Sequence, residues 1–501
     1  MTETVSAYLE LERRFARLAT INDALGILDW DSQTMMPAGA ADGRAGQIAT
    51  LRLVAHDLLT APDMADLLAA AAAEPDLDDW RRANVREMRH GWLHATAVPS
   101  ALVEASSRAV SSCEMVWRSA RPANDFPALL PSLAEVLSLQ REIAAAKAAA
   151  FGCSPYEALL DAFEPGARMP TIDPLFDRLA AVLPGFLERV QARQAELPAP
   201  RPLPGPFPVA AQRALGEKLM RAVGFDFNRG RLDVSLHPFC GGATNDIRLT
   251  TRYDEADFTR SLMGVLHESG HALYEQGRPA AWLNQPVGMA RGMALHESQS
   301  LIVEMQAARS RPFLEFLAPL AREAFGGQGA AWDATNLHRH YTRVEAGFIR
   351  VDADEVTYPA HVILRTRLER AMIAGDLGLR DLPGAWNQGM RELLGVTPPD
   401  DRRGCLQDIH WPSGGWGYFP TYTLGAAIAA QLFDTARRAQ SEVAPGLARG
   451  DFSPLVGWLR AHVHGKGCLL ATDALLTRAT GRPLDPDVYL RHLERRYLDG
   501  E

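Results

Sequence analysis

The sequence has few cysteines, and it has no long apolar run without charges. The five cysteines of the 501 residues are odd in number and widely scattered, and none forms a C-x-x-C pair. This argues against a disulfide framework and indicates reduced thiols in the cytoplasm. No uncharged apolar run approaches the ~18 residues of a membrane-spanning helix. Residues 1–5 also lack the basic start of a signal peptide, so we expect neither secretion nor membrane insertion.

An excess of basic charge is missing as well. The formal net charge is -9, while 47% of the residues are apolar and 23% are charged. An acidic chain is a poor candidate for nucleic-acid binding. The apolar and charged fractions are those of soluble globular proteins. We therefore expect a soluble protein with no nucleic-acid partner and no membrane partner.

Helical periodicity dominates the chain, and strand-like alternation is confined to one stretch. Between residues 224 and 254 the segments 232–237 and 246–253 alternate around Gly241 and Gly242, which predicts a hairpin or small sheet. The fold class is therefore mainly α, with a small β element next to a helix predicted over residues 256–276. We expect Asp254 to cap this helix and Asp257 to lie in its first turn. Apolar residues recur at helical spacing over residues 6–28, 44–59, 64–73, 80–96, 99–120, 126–150, 172–196 and 289–309.

One proline-rich segment is the best linker candidate. Six prolines lie between residues 197 and 208, with no repeat or low-complexity tail on either side. The segment need only join two halves of one catalytic body. We expect a single domain over residues 1–501, with 1–200 and 209–501 as subdomains on either side of a groove.

The stretch His267-Glu268-Ser269-Gly270-His271 has the H-E-x-x-H pattern and lies within the predicted helix 256–276. Four residues of helix advance the chain by little more than one turn, so both imidazoles face the same side and can bind one metal ion. Glu268 projects beside them. This spacing on a helix is typical of zinc hydrolases.

A catalytic zinc site usually has three protein ligands and keeps its fourth position for water. The next predicted helix carries Glu297, placed so that an antiparallel helix could present its carboxylate to the two histidines. His296 and Glu304 are the competing candidates from the same helix. We expect His267, His271 and Glu297 to be the ligands. Cobalt accepts the same donor set as zinc.

The chemistry follows from the charge of such an ion. Bound zinc lowers the pKa of water towards about 7, and Glu268, which is not a ligand, can take the proton of that water. The resulting hydroxide attacks a carbonyl, and Glu268 then protonates the leaving amine. A tetrahedral oxyanion needs a donor, such as a tyrosine or histidine. The residues therefore predict a zinc peptidase.

Further motifs accompany the metal-helix pattern along the chain. They are HPF at 237–239, DIRLT at 246–250, HESGH at 267–271, HESQ at 296–299, IRVDAD at 349–354 and GCLQDIHW at 404–411, besides residues 29–37 and 475–497. Through these motifs the whole chain resembles the carboxypeptidase Taq family of metallocarboxypeptidases. The resemblance implies an almost wholly helical fold with a deep groove, a homodimer, and a zinc or cobalt ion held by His267, His271 and Glu297, with Glu268 as the general base. It also implies release of single residues from the free carboxyl termini of peptides, with broad specificity.

An enzyme that acts at a chain end must recognise a terminal carboxylate, and the planar fork of arginine can bind both oxygens. Arg350 is the candidate that the family supports, and its alternative is an ion pair with Asp352 or Asp354. Arg248 is the second candidate; with Asp246 and Thr250 on its strand face, it would line the groove or support the metal helix.

Further candidates lie near other motifs. His237 is predicted either to face the groove or to hold a turn. Gln407 is a candidate for substrate binding. His410 and one of Tyr418 and Tyr422 are candidates for the oxyanion donor, because they surround a glycine-rich loop whose backbone can approach a substrate. The alternative is that this aromatic loop only packs over helices.

Two other functions compete with carboxypeptidase activity. A zinc oligopeptidase or dipeptidyl carboxypeptidase would share the metal chemistry and differ in where the terminal carboxylate is bound. A catalytically silent peptide-binding scaffold is disfavoured, because Glu268 and both histidines are intact.

Overall fold

The computed structural model of the chain describes residues 6–500. Residues 1–5, on which the expectation about a signal peptide rests, and residue 501 lie outside the described range. The predicted mainly α architecture is confirmed. In chain order, helices α1 to α20 are Ala7–Thr34, Ala41–Leu59, Met64–Ala72, Asp79–Thr96, Ser100–Ala123, Phe126–Phe151, Pro155–Leu160, Met169–Ala195, Val209–Val223, Phe258–Gly277, Met293–Leu301, Arg311–Phe325, Ala334–Tyr341, Tyr358–Ala374, Leu382–Leu394, Pro420–Ala439, Val443–Arg449, Ser453–His462, Thr472–Thr480 and Pro486–Glu494.

The first helix is longer than its periodicity predicts. We expected it to end near residue 28, but α1 continues to Thr34. Trp30 is buried in this extension, with the guanidinium of Arg248 4.3 Å from its ring centre. The contact comes from a strand more than 200 residues away in sequence. Local spacing therefore does not reveal it.

The β element is a three-stranded sheet formed by β1 (Gly230–Val234), β2 (Cys240–Ala243) and β3 (Asp246–Thr251), in the order β1-β3-β2. The prediction of a small sheet is confirmed, but the two predicted segments do not form a hairpin with each other. They pair in parallel, and the glycine-containing β2 is the antiparallel partner of β3. Gly242 has a φ of 104°, and a Cβ there would lie 2.2 Å from the carbonyl oxygen of Asp246.

The sheet supports α10, the helix that carries the H-E-x-x-H motif. Ile247 and Leu249 of β3 are buried in one apolar cluster with Val265 and Ala272 of α10. The helix begins at Phe258. This sheet therefore fixes one side of the motif helix.

The cap of α10 differs from the prediction. We expected Asp254 to cap the helix, with Asp257 in its first turn. Asp257 is the N-cap, and its carboxylate accepts the backbone N–H of Thr259 at 2.8 Å. Asp254 lies one turn earlier and accepts the N–H of Ala256. The sequence pattern does not show which aspartate is the cap, because both precede the apolar stripe of the helix.

The largest apolar cluster contains side chains from both sides of the proline-rich segment, from Ala109 to Tyr497. Phe207, at the end of that segment, is buried with its ring 4.9 Å from that of Phe258. The segment is therefore anchored to the body at this end. The organisation of residues 1–501 as one domain stays a prediction.

Within residues 6–500, no helix has both the length and the apolar character needed to cross a membrane.

Candidate active site

The structure brings the three predicted metal ligands together. Nε2 of His267 lies 3.8 Å from Oε2 of Glu297, and Nε2 of His271 lies 3.4 Å from the same oxygen. Bonds of about 2.1 Å in a tetrahedral zinc site separate ligand atoms by about 3.4 Å. Two nitrogens and one carboxylate oxygen at this spacing fit a zinc-class ion.

Close packing of three helices produces this arrangement. A Cβ on Gly270 of α10 would lie 2.4 Å from the carbonyl oxygen of Gln299 on α11. A Cβ on Gly425 of α16 would lie 2.9 Å from the Cβ of Glu297. Only glycine allows such close approaches. Glu297 therefore reaches the histidines because both neighbouring helices present a glycine to α11.

The second nitrogen of His267 is held by a carboxylate. After Leu301 the helix α11 widens into a π-helix over Ile302–Ala308, which carries Glu304. Oε2 of Glu304 lies 3.0 Å from Nδ1 of His267, and its other oxygen accepts a 2.6 Å hydrogen bond from Arg309. Carboxylates in this position orient metal-bound histidines. Glu304, a competing ligand candidate, instead contacts the nitrogen that faces away from Glu297.

The second nitrogen of His271 is held by another imidazole. Nδ1 of His296 lies 2.7 Å from Nδ1 of His271, and Nε2 of His296 lies 2.9 Å from Oε1 of Glu275. Glu275 also pairs with Arg278 at 3.2 Å. His296, the other competing candidate, is therefore part of a chain from His271 to a carboxylate. We call His271, His296 and Glu275 the imidazole relay.

The predicted general base has the properties that the role requires. Glu268 is buried, and burial raises the pKa of its carboxyl to about 7, with the nearby Glu297 adding to the rise and His267 opposing it. Burial lowers the pKa of His271 to about 4 and thus keeps this imidazole neutral, as a metal ligand must be. Burial opposes ionisation of Glu297, but His267 and His271 outweigh it and lower the pKa of that carboxyl to about 2.

A cavity of about 700 Å³, here called the active-site cavity, opens over these residues. Its wall includes His267, Glu268, His271 and Glu297, together with Arg350 and four tyrosines, Tyr358, Tyr418, Tyr422 and Tyr489. The metal-binding candidates and a cationic side chain therefore face one space.

Arg350 is not paired with Asp352 or Asp354, the predicted alternative. Its Nε and Nη2 donate to Oδ1 of Asp408 at 3.0 and 2.8 Å, and its Nη1 donates to the hydroxyl of Tyr358 at 2.8 Å. Arg365 binds the other oxygen of Asp408 at 2.6 Å. One carboxylate thus stands between two guanidinium groups, which leaves one uncompensated positive charge in this buried group. Such a charge favours an anion in the cavity.

Gln407 holds Arg350 in place, and its amide is not among the groups that line the cavity. Its Oε1 accepts the backbone N–H of Arg350 at 2.8 Å. Its Nε2 donates to the carbonyls of Phe348, Arg403 and Gly404. Because the amide is fully engaged within the protein, the expectation of substrate contact by Gln407 does not fit the structure.

The structure also keeps Arg248 away from the cavity wall. Arg248 pairs with Asp246 at 2.6 Å and stacks on Trp30. Thr250 accepts hydrogen bonds from Ser235 and from the backbone of Phe239, which lines the cavity. This strand face therefore supports the wall of the active-site cavity. The geometry favours this supporting role of Arg248 over a direct contact with substrate.

His237 lies near the cavity without lining it. Its carbonyl accepts the hydroxyl of Ser235 at 2.6 Å, which holds the turn, and its side chain is exposed. The next residue, Pro238, is part of the wall. Of the two predicted alternatives, the geometry favours the turn.

The three candidates for the oxyanion donor form one cluster. Nε2 of His410 lies 3.4 Å from the hydroxyl of Tyr422, and the rings of Tyr418 and Tyr422 are 5.1 Å apart. Burial and the charge of Arg350 lower the pKa of His410 to about 4, so the imidazole is neutral. Burial raises the pKa of both phenols, so both remain donors. The tyrosines line the cavity, and His410 stands behind Tyr422.

Sequence reasoning assigned no role to Tyr358, Asp408 and Glu275. Asp408 lies inside the quoted motif at 404–411, so its position carried a signal. Tyr358 and Glu275 have none in the local sequence, because their contacts with Arg350 and His296 arise only from packing.

Known proteins share this fold and this chain length. A profile described as carboxypeptidase Taq (M32) metallopeptidase matches residues 10–497. The thermostable carboxypeptidase 1 of Thermus thermophilus is 39% identical over 500 residues, which cover 98% of this chain and 97% of that protein. Among solved structures, metallocarboxypeptidase 1 of Trypanosoma cruzi superimposes with a TM-score of 0.96 at 43% identity, over 98% of this chain and 99% of that one.

A carboxypeptidase from Deinococcus radiodurans superimposes with a TM-score of 0.94 at 37% identity, over 98% of this chain and 99% of that one. The matches extend over both sides of the active-site cavity. The chain therefore belongs to the carboxypeptidase Taq metallopeptidase family, and it is a metal-dependent carboxypeptidase.

Proposed function

We propose that the enzyme releases single residues from the free carboxyl termini of peptides, with His267, His271 and Glu297 as the ligands of a zinc ion. The observation that carries this proposal is the position of Arg350. Arg350 lines the same cavity as the candidate ligands, and its guanidinium belongs to a buried group with net positive charge. A terminal carboxylate on this side would leave the last peptide bond to face Glu268.

A bound divalent ion would supply Lewis acidity for the scissile carbonyl and acidify the attacking water. Glu268 accepts a proton from that water while the water oxygen bonds to the carbonyl carbon. The C–N bond then breaks, and Glu268 returns the proton to the leaving nitrogen. Burial raises the pKa of this carboxyl above its usual range and a bound cation would oppose the rise; a general acid–base group is most effective when its pKa lies near the working pH.

The developing negative charge on the carbonyl oxygen requires a hydrogen-bond donor. Tyr418 and Tyr422 are proposed for this role, because both phenols line the cavity and remain protonated. His410 acts through Tyr422, whose hydroxyl it approaches from behind. Tyr358 is proposed to fix the fork of Arg350.

The remaining parts of the proposal rest on the donor set, the composition and the family. Two imidazoles and one carboxylate support zinc as the native ion, with cobalt as a functional substitute. A homodimer follows from the resemblance, and a cytoplasmic location from the scattered cysteines. Light scattering and cell fractionation test these two properties.

The experiment that separates this function from its closest competitor uses two peptides of the same sequence, one with a free carboxyl terminus and one amidated. After incubation with zinc-loaded enzyme, mass spectrometry should find the free peptide shortened by one residue at a time and the amide intact. Loss of dipeptides would support a dipeptidyl carboxypeptidase instead. Internal cleavage of the amidated peptide would refute the proposal.

A further inference from the structure

We propose that His90, His94 and Asp161 form a second binding site for a zinc-class divalent ion, separate from the active-site cavity. His90 and His94 lie four residues apart in the last turns of α4, and Asp161 directly follows α7. The ligand atoms of these three residues all lie within 4.8 Å of one another. His267, His271 and Glu297 form the other such cluster found among residues 6–500.

The two histidine pairs have nearly the same geometry. The rings of His90 and His94 are 4.7 Å apart with an interplanar angle of 71°. The rings of His267 and His271 are 5.0 Å apart with an angle of 81°. Both pairs therefore present two Nε2 atoms to one carboxylate oxygen supplied by another element.

The carboxylate of Asp161 is oriented towards this pair. Its Oδ1 lies 2.6 Å from Nε2 of His90 and 3.1 Å from Nε2 of His94. Its Oδ2 is held by the backbone N–H of Gly166 at 2.9 Å and by Arg168 at 3.4 Å. Because Oδ2 is fixed in this way, Oδ1 can bind the same ion as the two imidazoles. In metal sites, too, the ligating carboxylates are oriented by hydrogen bonds from neighbouring groups.

These separations are shorter than the approximately 3.4 Å between ligand atoms of a tetrahedral zinc site. An ion must therefore move Asp161 and the rings apart by less than about 1 Å. Nδ1 of His94 has no hydrogen-bond partner within the described part of the chain. This nitrogen is buried, so a proton that moves to it to free Nε2 for the ion finds no acceptor, which weakens this site relative to the one at His271.

Solvent can reach the site from two sides. His90 and Asp161 line a cavity of about 400 Å³, and His90 and His94 line a second cavity of about 580 Å³. Water can therefore complete the coordination. Lys147 lines the larger cavity too, and its positive charge opposes a cation. We thus expect weaker binding here than at the active site.

An ion at this site would join α4 to the turn that follows α7. The same turn carries the buried Glu164, whose carboxylate accepts the backbone N–H of Ala294 at 2.9 Å, at the start of α11. Since α11 presents Glu297, the second site is linked to the helix of a catalytic ligand. Ligation by folded protein alone also raises its stability against unfolding.

The test counts ions in metal-free protein reloaded with zinc, by calorimetry and by elemental analysis. Wild type should bind two ions per chain, and His271→Gln, which removes a catalytic ligand, should retain one. In the His271→Gln background, either His94→Gln or Asp161→Asn should abolish the remaining ion and the rise in melting temperature that zinc causes. Lys147→Gln in that background should tighten the remaining site several-fold.

Two results would overturn the proposal. One is a single ion in wild type together with none in His271→Gln. The other is an ion that persists in the His271→Gln background when both His94 and Asp161 are also replaced. Because a variant could misfold, the wild-type chain is also titrated with cobalt and its absorption is measured. Two successive sets of tetrahedral bands are expected. A single set would contradict a second site. His94→Gln is also assayed for release of carboxyl-terminal residues. If this variant loses the second ion and still releases them, loss of this site is separated from failure of the proposed function.

Discussion

Replacing His296 by phenylalanine should weaken metal binding although all three candidate ligands remain. When an ion occupies Nε2 of His271, the proton of this imidazole is on Nδ1, and Nδ1 of His296 accepts it at 2.7 Å. His296 in turn donates from Nε2 to Glu275. Phenylalanine has a similar size and can accept no hydrogen bond from His271.

The expected magnitude follows from the burial of His271. Its side chain is 12% exposed, so water cannot freely replace the lost acceptor. A buried donor without a partner costs about 1–3 kcal/mol. This corresponds to a loss of metal affinity between about 5-fold and 150-fold, and measured changes around metal-bound histidines are typically about 10- to 100-fold. We expect a loss of about 10- to 100-fold for His296→Phe.

The affinity is measured by competition with a chromophoric chelator, and kcat/KM is measured at saturating zinc. Glu275→Gln should give a smaller loss, because glutamine still accepts from His296 without the charge. His340→Phe is the matched control, since His340 is not part of the active-site cavity wall and its Nε2 contacts the carbonyl of Arg201. The imidazole relay would be refuted if His296→Phe bound zinc within twofold of wild type, or if His340→Phe lost as much affinity.

Three further predictions concern the base, the buried charges and the helix packing. Glu268→Gln should lower kcat by about 10²- to 10⁴-fold with zinc still bound. In wild type, kcat/KM should fall as the pH drops through the pKa of this carboxyl, which is about 7 without metal and lower beside the cation. A pH profile without this acid limb would contradict the assignment of Glu268 as the base. Asp408→Asn leaves Arg350 and Arg365 facing each other without the carboxylate between them. This change should lower the free energy of unfolding, measured in urea, by about 3–5 kcal/mol. Asp352→Asn, at an exposed ion pair, should change the free energy of unfolding little. Gly270→Ala should separate α10 from α11 and reduce zinc affinity, because the added Cβ would lie 2.4 Å from a backbone oxygen; unchanged affinity would show that α11 can move without loss.

The helices and the clustering of the three candidate metal ligands could be predicted because their signals are local or periodic. The spacing of His267 and His271 defines a face of one helix, and the apolar stripe of the next helix limits the carboxylates that can return to it. The small sheet was recognised from its alternation. Its pairing was not, because alternation within a strand shows which residues share a face but not which neighbouring strand it pairs with.

The organisation around Arg350 could not be predicted, since it depends on contacts between distant segments. The sequence offers Asp352 and Asp354 as the nearest partners, but Asp352 pairs with Arg260 and Asp354 accepts backbone N–H groups of nearby residues. Asp408 becomes the partner only when the loop before α16 packs against α14. The same reason explains Arg248, which local alternation puts on a strand face but which Trp30 of α1 covers in the fold.

The most direct test of the account measures how Arg350 and the terminal carboxylate depend on each other. Wild type and Arg350→Gln are each assayed with the free and the amidated peptide, and the four kcat/KM values form a cycle. Asp408 keeps Arg365 as its partner in the variant, so no buried carboxylate is left without a cation. We expect a strong preference of wild type for the free acid and a coupling of about 2–5 kcal/mol that Arg350→Gln removes. An unchanged ratio between the two peptides in the variant would contradict it.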